Sequence, residues 1–343
     1  MYRCSSNVWG VALNNQDFNL GGNARVLRVA TRQSALAMAQ TKMAADAIAA
    51  AAGVGYELVP MTTEGDRRLD KSLASFGGKG VFIKELEIAL LEGRADIAVH
   101  SLKDMPAEVL PDFRLAAVLH REDPRDAFIA RGGADGLRFM ELPAGARVGT
   151  GSVRRVVQLK ALRPDLEYVP IRGNIQTRLS KLDELDGVVL AAAGLKRMGL
   201  ADRVTEYFDT DKVLPASGQG ILAIETLSPS VILEPQNGDR IQAVLSRIND
   251  VPTYCIAVAE MAYLKALNAG CQFPVASFAE FENDSQIKNG PQTLKIRGIY
   301  WDEKSGKLLK ASVQGSVDVA NAEASAHARE LGIALAGKIR EQL

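Results

Sequence analysis

The order of predicted strands and helices repeats once along this chain, and that repeat restricts the possible folds more than any single residue does. Each copy begins with a strand, a turn and a helix. A second strand follows, and then another helix and an apolar strand. These units lie at 26–34, 56–60 and 86–99 in the first copy and at 146–155, 166–170 and 177–192 in the second. Strands that alternate with helices favour parallel sheets with right-handed crossovers. The repeat therefore predicts two α/β lobes.

Two short segments join the repeated halves and set the predicted domain boundaries. These crossovers lie near 121–124 and near 215–220. The chain is then expected to form one lobe from 26–119 with 221–240 and a second lobe from 125–214, with a cleft between them. The prediction is an α/β fold of two periplasmic-binding-protein-like lobes with mostly parallel sheets.

The residues after these lobes follow a different pattern, typical of a small α+β C-terminal domain over 245–343. Helix patterns run over 253–267 and 320–341. Strand patterns between them lie near 275–280, 294–301 and 310–317. Residues 1–25 are rich in Asn and Gly and lack the apolar stretch of a secretion signal. They are interpreted as a mobile N-terminal extension.

Charge and composition exclude several classes of function. The 343 residues carry 41 basic and 41 acidic side chains, so no overall field favours nucleic acid or a membrane surface. No apolar run is long enough to cross a bilayer. The three cysteines, Cys4, Cys255 and Cys271, lack metal-ligand spacing, and the three histidines are too scattered for a zinc site. We therefore expect a cytoplasmic protein in a reducing compartment, with no metal.

The segment 94–106 carries the clearest candidate site. Its apolar residues predict a buried strand, after a helix pattern that stops at Gly93. The strand ends in Ser101, Lys103 and Asp104, and ligands in open α/β sheets bind at the carboxyl ends of strands. An ordinary solvated turn explains the same residues, because loops at strand ends are commonly polar.

A second candidate feature is a set of arginines at strand ends or in the first turn of the helix that follows. They are Arg32, Arg154, Arg155, Arg172, Arg178 and Arg197. Helix N-termini and planar guanidinium groups both favour carboxylates, and Thr150 and Ser152 add hydroxyls to one of these turns. The adjacent Arg154 and Arg155 are expected to hold two different anions, or one of them to turn outward. In a chain with no net charge, such a row predicts a ligand with several carboxylates.

Two further segments leave a choice between a functional and a plain structural role. The glycine-rich segment 76–81 lacks the spacing of a phosphate-binding P-loop. It is expected to form either a mobile lid that brings Lys79 to the cleft or a flexible hairpin. Cys271 lies between small residues and a proline, which predicts an accessible loop, whereas a lone cysteine is more often buried.

Together, nine short motifs resemble the porphobilinogen deaminase family over 26–343, in family order. They lie at 30–37, 76–80, 99–104, 121–127, 172–174, 177–179, 193–197, 218–220 and 270–272. The resemblance implies a transferase that polymerises four porphobilinogen units head to tail, releases ammonia and forms the linear tetrapyrrole hydroxymethylbilane. It also implies a monomer that carries one covalent dipyrromethane cofactor, attached to Cys271 by a thioether. The partner is then porphobilinogen, with no nucleic acid and no membrane.

The same resemblance implies roles for individual residues. Asp104 matches the catalytic aspartate, and Lys79 lies in the lid. The residues implied on the cofactor side, besides Cys271, are Ser101, Lys103, Asp104, Thr150, Ser152, Arg154, Arg155 and Arg178. The residues implied to bind substrate are Arg32, Gln40, Arg172, Gly173, Arg197 and Gln219. Because each pyrrole unit carries an acetate and a propionate, a growing chain is a polyanion and suits a row of arginines.

Three positions depart from the family pattern. Gly151 stands where serine is usual, Ala269 where glycine is usual, and Met261 where arginine is common. These changes are expected to remove one hydroxyl contact, to stiffen the cysteine loop slightly, and to delete an interdomain ion pair.

Two other functions compete with this interpretation. A non-enzymatic bilobed protein that binds a polycarboxylate has the same lobes, because fold alone does not decide function. That alternative gives no reason for Cys271 or for the third domain. A transferase that uses Lys103 covalently would form an imine that borohydride traps.

Overall fold

The fold is described from a computed structural model that covers residues 26–63, 83–232, 235–269, 273–282 and 290–343. Three predicted features lie outside these ranges: the N-terminal extension 1–25, the lid segment with Lys79, and Cys271. Among the helices that these ranges contain, none combines the length and the apolar character needed to span a membrane.

A five-stranded mixed sheet forms from the first repeat. Its strands are β1 (Leu27–Arg32), β2 (Tyr56–Met61), β3 (Ile97–Ser101), β4 (Phe113–Val118) and β10 (Leu222–Leu227), in the order β2-β1-β3-β10-β4. The first two helices are α1 (Ala35–Ala52) and α2 (Lys84–Leu91). Helix α1 begins after Ser34, whose side chain accepts the Ala37 N–H, and ends at Gly53, where φ is 68°. The sequence predicts a helix over 35–52 that ends at Gly53, and these bounds are confirmed.

The second repeat forms a sheet of the same design. Its strands are β5 (Asp126–Ala130), β6 (Arg147–Gly149), β7 (Glu167–Val169), β8 (Gly187–Ala191) and β9 (Glu206–Tyr207), in the order β7-β6-β8-β5-β9. Its helices are α3 (Val153–Leu162), α4 (Ile175–Leu179) and α5 (Ala192–Arg197). We propose that each sheet and its helices form one lobe, called the first and the second lobe below.

One strand in each sheet runs against the others, and in both sheets that strand follows a crossover. In the first sheet β10 pairs antiparallel with β3 and β4, and in the second β5 pairs antiparallel with β8 and β9. The remaining four pairs are parallel, so in each sheet four of the five strands share one direction, which agrees with the predicted mostly parallel sheets. Ser101 at the end of β3 lies opposite Leu222, and Ala191 at the end of β8 lies opposite Asp126. Both crossovers therefore reach the carboxyl ends of the parallel strands, where ligands of such sheets bind.

The C-terminal region contains an antiparallel sheet and two long helices. Its elements are α7 (Val251–Ala266), β11 (Val275–Phe281), β12 (Pro291–Asp302), β13 (Lys307–Asp318) and α8 (Ala324–Arg340). Their shared core includes the buried Tyr263, Ile296 and Leu335. The predicted elements are confirmed, except that the last helix begins at Ala324 and not at residue 320.

One helix was not expected from the sequence. Helix α6 (Pro235–Ile248) places Val244 and Leu245 in the same buried cluster as Ile48 of α1. We therefore propose that the first lobe extends to Ile248, beyond the predicted boundary at residue 240.

Candidate functional site

The turn after β3 presents the predicted catalytic aspartate. Leu102–Asp104 form a single 3-10 turn in which Leu102 is buried and donates its N–H to Ile221 O at 3.0 Å. Ser101 Oγ donates to Oε1 of the buried Gln40 at 3.1 Å. Asp104 is exposed. The buried neighbours fix the turn, so the Asp104 carboxylate faces solvent from a rigid base.

Lys103 links this turn to the second crossover. Its Nζ donates to Gln219 Oε1 at 3.4 Å. Burial, and also the positive charges of Arg155 and Arg154, lower the pKa of Lys103 to about 8, although Asp104 and Asp126 act in the opposite direction. The Lys103 ammonium thus lies among charged groups from both lobes.

The turn between β6 and α3 supplies backbone and hydroxyl groups at the second lobe. Thr150 is buried, and its Oγ1 accepts the Ser152 N–H at 3.4 Å. The side chain of Ser152 precedes α3 without capping it, so its hydroxyl is not used by the helix. A Cβ at Gly151 would lie 2.6 Å from Ile171 O. This turn, as folded, therefore has no room for the serine that is usual in the family.

Arg154 and Arg155 behave differently from the prediction. Both are buried, 4% and 5% exposed, and both pair with one carboxylate, that of Asp126. The expectation that they hold two different anions, or that one turns outward, is wrong. Burial by itself would raise the pKa of Asp126, but Arg154 and Arg155 outweigh it and hold that pKa below its usual range.

Asp126 is a site residue that the sequence reasoning missed. It opens β5, whose other four residues are Ala127, Phe128, Ile129 and Ala130. A carboxylate at the start of a wholly buried strand was the signal that could have revealed it, because an ionised group inside a core needs partners.

The segment after β7 brings two further arginines close to this group. Arg178 donates from Nε to Gly173 O at 2.8 Å. Burial, and then the like charge of Arg155, lower the pKa of Arg178; Asp104 opposes that shift, and Arg172 adds to it. Gly173 has φ 99°, and a Cβ there would meet the Thr177 side chain at 2.7 Å, so the close approach requires glycine.

Arg32 and Arg197 are the remaining arginines of the predicted row. Arg32 ends β1 and is half-buried. Arg197 lies at the C-terminal end of α5, so its predicted place in the first turn of a helix is wrong. Its Nη2 donates to Gly220 O of the second crossover at 2.6 Å. Burial lowers the pKa of Arg197 to about 10, with Glu122 opposing.

Several of these arginines have N–H donors that make no hydrogen bond to any described residue. The Nε atoms of Arg154, Arg155 and Arg197 are buried without a hydrogen-bond partner within the described ranges. The guanidinium groups that carry these donors concentrate positive charge, and carboxylates are the matching anions. The site therefore suits an anionic ligand with several carboxylates. Among the residues described, no group of three or more His, Cys, Asp or Glu has a metal-binding arrangement.

The C-terminal domain is bonded to both crossovers behind this site. Arg121 of the first crossover pairs with Glu260 of α7 at 2.8 Å, and Glu260 Oε2 accepts the Gly218 N–H of the second at 2.5 Å. The adjacent Met261 packs on the core of the C-terminal domain. An interdomain ion pair is therefore present at Glu260, next to the position where arginine is common. Ala269 is buried.

Comparison with known proteins gives consistent matches along the chain. The family description "Porphobilinogen deaminase, dipyromethane cofactor binding domain" matches residues 27–231, and "Porphobilinogen deaminase, C-terminal domain" matches residues 254–341. A curated protein named porphobilinogen deaminase from Syntrophus aciditrophicus is 44% identical over 299 residues, which are 86% of this chain and 91% of the relative. One of the same name from Clostridium kluyveri is 44% identical over 290 residues, 84% of this chain and 92% of the relative. Among solved structures, a TRAP periplasmic solute binding protein from Desulfovibrio salexigens aligns with 66% of this chain and 73% of its own, at 13% identity and a TM-score of 0.40.

Proposed function

This chain belongs to the porphobilinogen deaminase family, and from that premise we propose which of its residues carry the reaction. The enzyme is a transferase that joins four porphobilinogen units head to tail, releases ammonia and forms hydroxymethylbilane. It uses a dipyrromethane cofactor, for which the N-terminal family match is named. We further propose that the enzyme is a monomer and is located in the cytoplasm.

The observation that carries the residue assignment is one exposed carboxylate that interacts electrostatically with two cations of the site. Asp104 projects from the turn after β3, in electrostatic contact with Lys103 and Arg178. We assign to Asp104 the handling of the proton and the stabilisation of the positive charge that develops as ammonia leaves. A carboxyl group suits both tasks, because its protonated form can donate a proton and its ionised form attracts a cation.

A dipyrromethane attached to Cys271 would supply the pyrrole carbon to which the first unit is joined. We propose that its carboxylates are held by the buried donors of the second lobe and by the turn after β3. The residues on this side are Ser101, Lys103, Thr150, Ser152, Arg154, Arg155 and Arg178. The residues proposed to bind the incoming substrate are Arg32, Gln40, Arg172, Gly173, Arg197 and Gln219, and Lys79 is proposed as a lid residue.

Intact-protein mass spectrometry tests the anchor and the catalytic group together. We expect Cys271→Ala to fold without any pyrrole mass, because a methyl group cannot form a thioether. Cys255→Ala is the matched control: burial raises the pKa of the Cys255 thiol to about 12, so this thiol is unreactive and the variant stays loaded. Asp104→Asn should stay loaded, provided that loading uses preformed tetrapyrrole, but lose nearly all turnover.

The opposite results would contradict the assignment. A pyrrole adduct in Cys271→Ala, or brisk turnover in Asp104→Asn, would leave the reaction without its two central residues. The competing polycarboxylate-binding protein predicts no covalent pyrrole in any variant and no colour with an Ehrlich-type reagent. The competing Lys103 chemistry predicts an adduct trapped by borohydride on Lys103.

A further inference from the structure

Asp126 has no role in the reaction as assigned above, although three side chains of the site converge on it. It is 0% exposed. Its Oδ1 accepts hydrogen bonds from Arg155 Nη2 at 2.7 Å and from Gln219 Nε2 at 2.9 Å, and its Oδ2 lies 2.8 Å from Arg154 Nη1. A buried carboxylate with this many charged and polar partners is stable as the anion, so it acts as a fixed negative charge.

This charge explains why two adjacent arginines point to one side of a helix. Neighbouring helical positions project in different directions, so Arg154 and Arg155 need a shared partner to converge. Each also donates from Nη1 to a backbone carbonyl, Arg154 to Leu214 O at 2.5 Å and Arg155 to Val189 O at 3.0 Å. These contacts fix the orientation of both guanidinium groups. The Nε–H donors of both arginines have no hydrogen-bond partner among the described residues. With two cations and one anion, the group of Arg154, Arg155 and Asp126 carries a net positive charge.

The same carboxylate is connected to the opposite lobe. Gln219, 1% exposed, donates from Nε2 to Asp126 and also to Pro124 O at 2.7 Å, and it accepts from Lys103 Nζ through Oε1. Pro124 lies in the first crossover and Gln219 in the second. A continuous hydrogen-bonded path therefore runs from Lys103 of the first lobe through both crossovers to α3 of the second.

We propose that Asp126 is a positioning residue for the reaction: it aligns the guanidinium groups of Arg154 and Arg155 for the carboxylates of the bound pyrrole chain, and through Gln219 it couples that pair to Lys103 of the other lobe. The inference rests on the proposed function. It predicts that loss of the Asp126 charge impairs handling of the anionic ligand even where the protein remains folded.

The test compares Asp126→Asn with Asp96→Asn in otherwise intact protein. Asp96 is a matched control because it also pairs with an arginine, Arg28, at 2.7 Å, but at the amino end of β3, away from Ser101. After folding is verified by thermal melting, the apoprotein is incubated with preformed hydroxymethylbilane, and covalent loading is followed by intact mass. The KM of the loaded enzyme is then measured against pH. Asp126→Asn should load on the order of tenfold more slowly and show a raised KM.

The pH profile separates positioning from a merely structural role. Lys103 faces Asp104 of its own turn, Arg154 and Arg155 of α3, and Asp126 of β5. Removal of the Asp126 charge lowers the pKa of Lys103 further, so the alkaline rise in KM should move to lower pH. Asp96→Asn should leave both loading and the profile within about twofold of the wild type, even with a lower melting temperature.

Loading and KM near wild-type values in folded Asp126→Asn, or equal losses in Asp96→Asn, would overturn the proposal. If Asp126→Asn does not fold, Arg155→Lys keeps the charge but replaces the planar group, whose two nitrogens bond Asp126 and Val189 separately, with a single ammonium. Wild-type loading of that variant would refute alignment as the cause. Failure of the wild type and of Asp96→Asn to consume porphobilinogen would instead contradict the proposed function.

Discussion

The side chains of the site combine positive charge with partial burial, and burial makes their protonation sensitive to neighbours. Lys103 is the clearest case, because its pKa of about 8 lies well below the ordinary 10.5. In the unfolded chain this lysine binds its proton more tightly. The cost of burying its charge is fully present below pH 8 and is relieved as the pH rises from about 8 to 10.5, so this group makes the protein relatively more stable across that window.

The shifted pKa of Lys103 predicts a pH dependence of substrate binding. Above a pH of about 8 the Lys103 ammonium loses its proton and no longer holds a carboxylate of the bound pyrrole chain that accepts porphobilinogen, so the KM for porphobilinogen should rise. Lys103→Arg should remove this rise, since a guanidinium stays charged throughout the range. Steady-state kinetics of both proteins across neutral and alkaline pH check this. The same alkaline rise in Lys103→Arg would show that another group titrates.

The division of arginines between cofactor and substrate predicts two different losses. Arg155→Ala should impair cofactor loading, because its guanidinium is buried with Asp126 in the second lobe. Arg172→Ala should keep the cofactor and slow elongation, because Arg172 is exposed. Each removed charge-assisted contact should cost about 1.5–3 kcal/mol of binding free energy. Intact mass and turnover separate the two effects, and identical behaviour of the two variants would contradict the division.

The crossovers are the elements that place these side chains together, and they approach each other closely. Glu122 N of the first crossover donates to Gly220 O of the second at 3.2 Å. Gly220 has φ 92°, and a Cβ there would lie 2.2 Å from Glu122 O. Only glycine fits this contact, because a side chain would be strained by its backbone and would also push the two segments apart.

The glycine contact predicts that Gly220→Ala destabilises the protein and weakens activity together. Gly199→Ala separates the two causes, since Gly199 has φ 67° but nothing within 4 Å of its Cβ position. The control should lose about 1–2 kcal/mol of unfolding free energy from the left-handed backbone alone. Gly220→Ala should lose about 1–3 kcal/mol more. Urea denaturation measures both, and equal losses would argue against a steric role for the contact.

A buried ion pair joins both crossovers to the C-terminal domain. Arg121 is 8% exposed in its side chain and Glu260 is 0%. Arg121 also donates to Gln219 O at 2.9 Å and stacks on the Phe278 ring at 4.8 Å. Glu260 accepts the backbone N–H groups of Gly218 and Ala279. Both crossovers, α7 and β11 therefore meet at this pair.

Removal of Arg121 should weaken the whole assembly. Arg121→Met leaves the Glu260 carboxylate buried without its cation, and we expect a loss of about 3–5 kcal/mol of unfolding free energy. Arg94→Met removes an exposed pair with Glu92 and should cost about 1 kcal/mol or less. Chemical denaturation of both variants provides the comparison. A loss in Arg121→Met no larger than that of the surface control would show that the pair does not hold the domains together.

The sequence by itself determined the elements whose signals are local. Ser34 and Gly53 marked both ends of α1, and the repeated strand–helix order predicted two similar sheets, because caps and periodicity act over a few neighbouring residues. It also placed Ser101, Lys103 and Asp104 at the end of a strand. The likeness of short motifs, rather than any physical pattern, indicated Cys271 as the anchor.

Only the tertiary structure decided how the arginines are used. Adjacent helical positions suggested that Arg154 and Arg155 would diverge, and the structure makes both converge on Asp126, which lies 28 and 29 residues earlier in the chain. It also set the reversed strands β5 and β10 beside the strand ends and placed Gln219 between the lobes. These arrangements depend on contacts between segments far apart in sequence. Their free energy comes from burial and charge pairing in the assembled fold, which no local pattern encodes.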